Sequence, residues 1–203
     1  MCFDSNLQKQ LPNHVAFIMD GNRRWAKKKK LKIIDGHKKG SEIVKKIVKK
    51  SLEFNIKYLT FFSFSTENWS RSKDEILNLQ TLLSFYLDSE EEHFIKKKIK
   101  FSFIGEIDKF DYKIKSQLNS LQVRTRYFNK LHFTLALSYG SRSEIVNSIK
   151  KINKNISLLT ELDISKSLMT KDIPDPDFVI RTSGEMRLSN FLLWQVAYSE
   201  LYF

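Results

Sequence analysis

The sequence predicts an α/β fold, a single domain with a mostly parallel central sheet flanked by helices, and three observations carry that prediction. Apolar, β-rich runs of strand length stand at HVAFIM (14–19), KYLTFFSF (57–64), IKFSFIG (99–105), HFTLALSY (132–139) and DFVIRT (177–182). These runs are nearly continuous instead of alternating, as in strands buried on both faces. Segments with helical spacing lie between them, at roughly 37–54, 73–97, 111–128, 142–155 and 161–170. Strand and helix in repetition put helices on both faces of a parallel sheet.

The composition agrees. At 203 residues the chain is within the range of one domain, 1–203, with residues up to about 13 as an N-terminal extension. Hydrophobic residues make up 41%, while Gly (6) and Pro (3) are scarce, which excludes a disordered or fibrous chain. The single cysteine, Cys2, excludes an intramolecular disulfide and a cysteine metal cage, and fits a reducing cytoplasm. No 18-residue apolar run occurs, and the start lacks the layout of a signal peptide, so a soluble, unexported protein is expected. The net charge of +12 makes nucleic acid, lipid headgroups or phosphorylated substrates plausible partners. Much of that charge also fits solvated lysine in a chain rich in Lys, Ile, Asn and Phe, and KKKK (27–30) and KKK (96–98) fit solvated helix faces.

The loops that carry chemistry follow the strands, where open parallel sheets gather ligands. Asp20-Gly21-Asn22-Arg23-Arg24-Trp25 leads from the first strand into a helix, setting backbone N–H groups and arginine around a helix start that favours a diphosphate. Gly21 lets backbone approach a phosphate. Asp20 would repel a bare diphosphate, so its presence suits a bridging divalent cation; magnesium takes one or two carboxylates plus phosphate oxygens and water. The same six residues also fit an N-cap and a turn glycine. Ser65-Thr66-Glu67-Asn68-Trp69-Ser70-Arg71 suits phosphate or proton handling, or simply a capped turn. Arg181-Thr182-Ser183-Gly184-Glu185-Met186-Arg187-Leu188-Ser189-Asn190 sets two arginines and two serines in one loop, enough to grip a second diphosphate.

In order and spacing, HVAFIMDGNRRWAKK, GHKKG, KYLTFFSFSTENWSR, LALSYGSRSEIV, DIPDPDFVIRTSGEMRLSNFLLWQ and AYSELYF resemble the signature blocks of cis-prenyltransferases, most closely the bacterial undecaprenyl diphosphate synthases. The resemblance spans residues 14–203. It implies the fold of that family: a homodimer with a parallel sheet and an apolar tunnel. It also implies an activity, the condensation of isopentenyl diphosphate onto an allylic diphosphate such as farnesyl diphosphate, with Mg2+ as cofactor and a long polyprenyl diphosphate as product, the precursor of the undecaprenyl carrier lipid. Asp20 matches the family's magnesium aspartate and Glu200 a carboxylate that helps place the metal. Gly21, Asn22, Arg24, His37 and Arg71 match the allylic diphosphate site; Arg181, Arg187 and Ser189 match the isopentenyl diphosphate site. Asn22, Trp25, Ser65, Glu67 and Asn68 match positions lining the reaction centre, with Asn68 a candidate for assisting proton removal. Their neighbours Arg23, Thr66 and Trp69 join the expected substrate-binding set.

Departures from the family pattern are Arg23, Ile33, Ser72, Ser138, Ser141 and Met186, and the chain is short at its C-terminus relative to the family, whose members continue past AYSELYF. A cytoplasmic enzyme, peripheral at the inner face of the membrane for product release and without nucleic acid as partner, is the resulting expectation. Neither the DDxxD of trans-type prenyltransferases nor the GxxxxGK[ST] of P-loop enzymes occurs. A noncatalytic subunit of the same fold, binding lipid or a partner protein, is the alternative reading, and a nucleic-acid module, motivated by charge alone, is a third.

Overall fold

A computed structural model describes residues 11–203. Of the expected N-terminal extension, residues 1–10, Cys2 among them, lie outside the described residues. The order along the chain is β1 (His14–Ile18), α1 (Asn22–Lys28), α2 (Ile33–Glu53), β2 (Tyr58–Ser65), α3 (Lys73–Lys97), β3 (Ile99–Ile104), α4 (Tyr112–Thr125), β4 (Leu131–Tyr139), α5 (Ser141–Lys151), α6 (Glu161–Ser167), β5 (Phe178–Arg181) and β6 (Glu200–Tyr202). All strands pair in parallel in the order β3-β4-β2-β1-β5-β6.

The five apolar runs are strands within a residue of their expected ends, because a parallel sheet covered on both faces writes itself as unbroken hydrophobicity. Leu131–Tyr139 is buried at every position. One face carries Phe17, Phe61, Phe101 and Phe133, covered by Val48 of α2, Leu87 and Phe94 of α3, and Leu118 and Leu121 of α4. Register aligns Phe17 with Phe61 and Phe101 with Phe133, so rings stack across four strands, with centroids 5.0 Å apart for Phe17–Phe61 and 5.2 Å for Phe61–Phe133. Each such ring contributes about 1.5–3 kcal/mol on burial. The opposite face packs Ala16, Ile18, Ala136 and Val179 against Phe191, Leu192 and Val196.

Two elements depart from expectation. The helix expected from residue 37 begins at Ile33. Gly36 and Gly40 lie buried inside it, and a Cβ on Gly36 would come within 2.1 Å of the Asn22 carbonyl oxygen. These glycines trade helix propensity for a close approach of α1 to α2. The other is β6, which pairs with β5 at the sheet edge and is exposed throughout. Three exposed residues are too short a run to carry a period.

Toward the amino ends of the strands, the second face is polar. The Nε2 of His14 meets Thr60 Oγ1 at 2.8 Å, and Ser102 Oγ meets both His132 Nε2 at 2.8 Å and Thr134 Oγ1 at 2.9 Å. Burial pushes His132 down to about 4, helped by the Lys100 charge, and lowers His14 as well. An unfolded histidine titrates near 6.5. Between about 6.5 and 4 the unfolded chain therefore binds protons that the fold refuses, and stability falls as pH falls. From pH 7 to pH 5, His132 should cost about 2 kcal/mol of unfolding free energy. Urea unfolding of His132→Gln at both pH values should show that much less loss; an unchanged loss would rule His132 out as the source.

Candidate active site

Beyond the carboxyl ends of β1, β2 and β5 lies a cavity of about 960 Å³. Its mouth is lined by Asp20, Arg24, Arg71, Arg181 and Arg187, and its depth by Val44 of α2, Leu79, Leu83 and Tyr86 of α3, and Phe61, Phe133 and Leu135 of the sheet. Charge at the entrance and hydrocarbon within suit an amphiphile with an anionic head.

The entrance is built around Arg181. Ending β5, its side chain is only 5% exposed. One terminal nitrogen donates to Asp20 Oδ2 at 2.9 Å, and the other donates to Ser189 Oγ at 2.7 Å and to the Arg187 carbonyl. The buried Nε has no partner. Asp20 sits opposite because β1 ends beside β5, Ile18 pairing with Arg181. Thr182 Oγ1 clamps the two loops together, donating to the Asp20 carbonyl at 2.8 Å. Partial burial pushes the Asp20 carboxyl up, but the Arg181 hydrogen bond, the Gly21 N–H and the charges of Arg181 and Arg24 outweigh it and hold it below its ordinary value.

Around this pair the remaining arginines meet internal carboxylates. Arg24 donates to Glu185 Oε1 at 2.5 Å and to Ser183 Oγ at 2.8 Å, and Arg187 donates to Glu185 Oε2. Arg71 donates to Glu75 Oε1 at 2.9 Å, while Arg23 lies 3.6 Å from Glu75 Oε2. Burial lowers His37, and the Arg71 charge lowers it further against the opposing pull of Glu75. Its buried Nε2 is unpartnered. Register shifts after Phe62 and Phe64 let β2 turn into the 3₁₀ segment Thr66–Ser70. There Asn68 Oδ1 accepts the Ser65 N–H at 3.1 Å. Burial raises Glu67, but its own N–H and the Asn190, Ser65 and Thr66 side chains outweigh this and lower it.

Asp20, Gly21, Asn22, Arg23, Arg24, His37, Ser65, Glu67, Asn68, Arg71, Arg181, Arg187 and Ser189 thus line one cavity. Trp25, Thr66, Trp69 and Glu200 are not in its lining. Trp25 is 38% exposed on α1. Trp69 packs on Phe64 and Phe110 and donates to Ser138 Oγ at 2.8 Å, and Thr66 Oγ1 lies against Gly140. Glu200 begins β6 opposite Phe178, at the amino end of β5, whereas Asp20 follows the carboxyl end of β1. The two carboxylates therefore stem from opposite ends of the sheet in one chain, two strands apart. Among the described residues no group of three His, Cys, Asp or Glu is placed to hold a metal. Asp20 offers hard carboxylate oxygen at the cradle, which suits magnesium shared with phosphate oxygens and water.

Glu75, Arg142 and Glu185 also line the entrance or pair with it, and the sequence reading singled out none of them. Glu75 was within reach, four residues after Arg71 on a helix start. Departures from the family pattern find local roles: Ser72 caps α3 by accepting the Glu75 N–H at 3.3 Å, and buried Ser141 accepts the Leu193 N–H at 2.9 Å.

A family model described as "Putative undecaprenyl diphosphate synthase" matches residues 18–203. The chain belongs to that family. It is 45% identical over 197 residues to an isoprenyl transferase of Fusobacterium nucleatum, covering 97% of this chain and 85% of that protein. It is 43% identical over 201 residues to the ditrans,polycis-undecaprenyl-diphosphate synthase ((2E,6E)-farnesyl-diphosphate specific) of Micrococcus luteus, covering 96% and 81%. Its fold matches lavandulyl diphosphate synthase from Lavandula x intermedia, solved with dimethylallyl diphosphate, with a TM-score of 0.91, 33% identity and coverage of 95% and 86%. The chain is a prenyltransferase of the undecaprenyl diphosphate synthase family, and its enzyme relatives support turnover over a noncatalytic subunit.

In this prenyltransferase, Gly21 has φ 92°, and a Cβ there would meet Ser183 Oγ at 2.3 Å, whereas Gly184, at φ 78°, has nothing within 4 Å. Alanine at either position adopts a left-handed conformation costing about 1–2 kcal/mol. Only Gly21→Ala also forces the loop after β1 away from Ser183 in the loop after β5. Thermal unfolding should show Gly21→Ala to be the more destabilised; equal losses would mean that the loops do not depend on this contact.

Proposed function

We propose that the protein condenses isopentenyl diphosphate units onto farnesyl diphosphate to make a long-chain polyprenyl diphosphate, the undecaprenyl carrier-lipid precursor. The observation that carries this reading is the buried Arg181 guanidinium, its Nε unpartnered, at the charged mouth of a cavity that turns apolar with depth. A buried donor without an acceptor is costly, and a diphosphate oxygen supplies one. The relative from Micrococcus luteus, named as farnesyl-specific, supports the primer.

Arg24, Arg71, His37 and the backbone at Gly21 and Asn22 hold the allylic diphosphate, and Arg181, Arg187 and Ser189 hold the isopentenyl diphosphate. Asp20 would hold magnesium between protein and diphosphate, where the ion neutralises charge on the leaving group. The arginines reinforce that stabilisation and align the double bond with the allylic carbon. The allylic carbon–oxygen bond breaks with its electron pair going to the diphosphate, the new carbon–carbon bond forms, and a proton leaves with assistance from Asn68. Growing hydrocarbon enters the space under α2 and α3, each buried CH2 contributing about 0.8 kcal/mol.

A homodimer is supported by the edge strand β6, whose Leu201 and Tyr202 are exposed alongside the fully exposed Tyr198. The separation of Asp20 from Glu200 within one chain also suits a metal site completed by a second copy. Contact with anionic membrane is supported by α1 and α2: residues 22–53 hold thirteen arginines and lysines against three carboxylates, a net +10 of the chain's +12. No helix among the described residues is long and apolar enough to cross a membrane.

Asp20→Ala should lower kcat by orders of magnitude while farnesyl diphosphate still binds, since metal-assisted stabilisation matters most as leaving-group charge builds. Near-normal turnover would sink the assignment. Mixing Asp20→Ala with Glu200→Ala chains should restore about a quarter of wild-type sites if each metal site draws on both copies. With subunit exchange confirmed, no gain over either variant would show the site to be private to one chain.

A further inference from the structure

Glu185 answers two of the arginines that the proposed reaction needs. One oxygen accepts from Arg24 at 2.5 Å and the other from Arg187, so a single carboxylate bridges α1 to the loop after β5. Its carboxyl is held below the ordinary value by hydrogen bonds from Arg24 and then Arg187. A carboxylate between two guanidinium groups shares the negative sign and the forked acceptor geometry of a phosphate group. Arg24 and Arg187 belong to the two different proposed diphosphate sites, and Glu185 ties them together.

Glu75 forms a similar bridge, between Arg71 and Arg23, but its setting differs. It stands in the first turn of α3, its N–H bound by the Ser72 cap, with a side chain 12% exposed. Glu185 is 27% exposed and follows Ser183 (φ 82°) and Gly184 (φ 78°) in an irregular loop. Open space surrounds Gly184, with no atom within 4 Å of where a Cβ would be. Glu75 is fixed by a helix, while Glu185 sits in an irregular loop next to open space.

We infer that Glu185 is an exchangeable internal counter-ion that occupies the Arg24–Arg187 pair until substrate diphosphate displaces it. Resting on the diphosphate-binding reading above, this makes Glu185 a positioning and affinity-setting residue. It keeps two flexible arginines converged while the site is empty, and weakens diphosphate binding by competing for the same donors. Release of the bridge on binding frees the two arginines to follow separate diphosphates.

The test is calorimetric titration of the full chain with inorganic diphosphate, with and without magnesium, for wild type, Glu185→Gln and Glu185→Asp. Loss of the competing charge should tighten binding by about three- to thirtyfold in Glu185→Gln. The shorter Glu185→Asp, unable to span both guanidinium groups, should fall between. If Glu185→Gln does not fold, as judged by circular dichroism, the Glu185→Asp titration decides. Wild type that binds diphosphate while the variants bind equally or more weakly would overturn the counter-ion role and make Glu185 a fixed support. If neither wild type nor variant binds diphosphate, the diphosphate-binding reading fails first and the inference with it. Binding by Glu185→Gln alone would support the counter-ion role in its strongest form.

Discussion

A guanidinium that is 5% exposed needs a counter-charge, and the pairing of Arg181 with Asp20 organises the rest of the site. Arg181 ends β5, Asp20 lies two residues past the end of β1, and the two strands are neighbours with Ile18 opposite Arg181, so the ion pair is a consequence of the β1–β5 register. The same register brings Thr182 onto the Asp20 carbonyl and Ser183 against Gly21. Breaking a buried pair by removing one partner costs more than the pair contributes, because the remaining charge is stranded. Here Ser189 and the Arg187 carbonyl also accept from Arg181, so the guanidinium remains partly satisfied when Asp20 turns to another ligand. That redundancy suits the metal-holding role proposed for Asp20.

Hydrophobic packing then decides what kind of anion fits. The stacked rings on one sheet face support α2, α3 and α4, and the space under α2 and α3 opens directly onto the arginines. A small phosphorylated metabolite would leave that apolar wall bare, whereas an isoprenoid tail covers it. The opposite face, closed by Phe191, Leu192 and Val196, leads from the Arg181 loop toward the edge strand β6. The loop after β5 and the exposed edge strand are therefore joined along the chain by this packed segment.

Most of the scaffold was legible in the sequence because burial on both faces leaves continuous apolar runs. Where burial ends, so does the signal: β6 is short, exposed and at an edge. The start of α2 was hidden for a different reason, since Gly36 and Gly40 serve contact with α1 and only the partner helix explains them. Thirteen of the expected site residues converge on the cavity, legible because motif order preserves what the strand ends bring together. The carboxylate bridges were not legible. Glu185 reaches Arg24 across 161 residues, through a loop conformation that no local pattern encodes. Trp69 shows the converse, an aromatic in a chemical motif whose ring packs on Phe64 and Phe110 while its N–H fastens Ser138.

The central claim is that the arginine cradle and the apolar cavity act together on two diphosphates. Incubation with farnesyl diphosphate and labelled isopentenyl diphosphate, in magnesium and in excess chelator, followed by separation of products by chain length, tests it most directly. The account predicts label in long-chain, cis-configured products that requires magnesium. Folded protein that transfers no label to farnesyl diphosphate with magnesium present would contradict it.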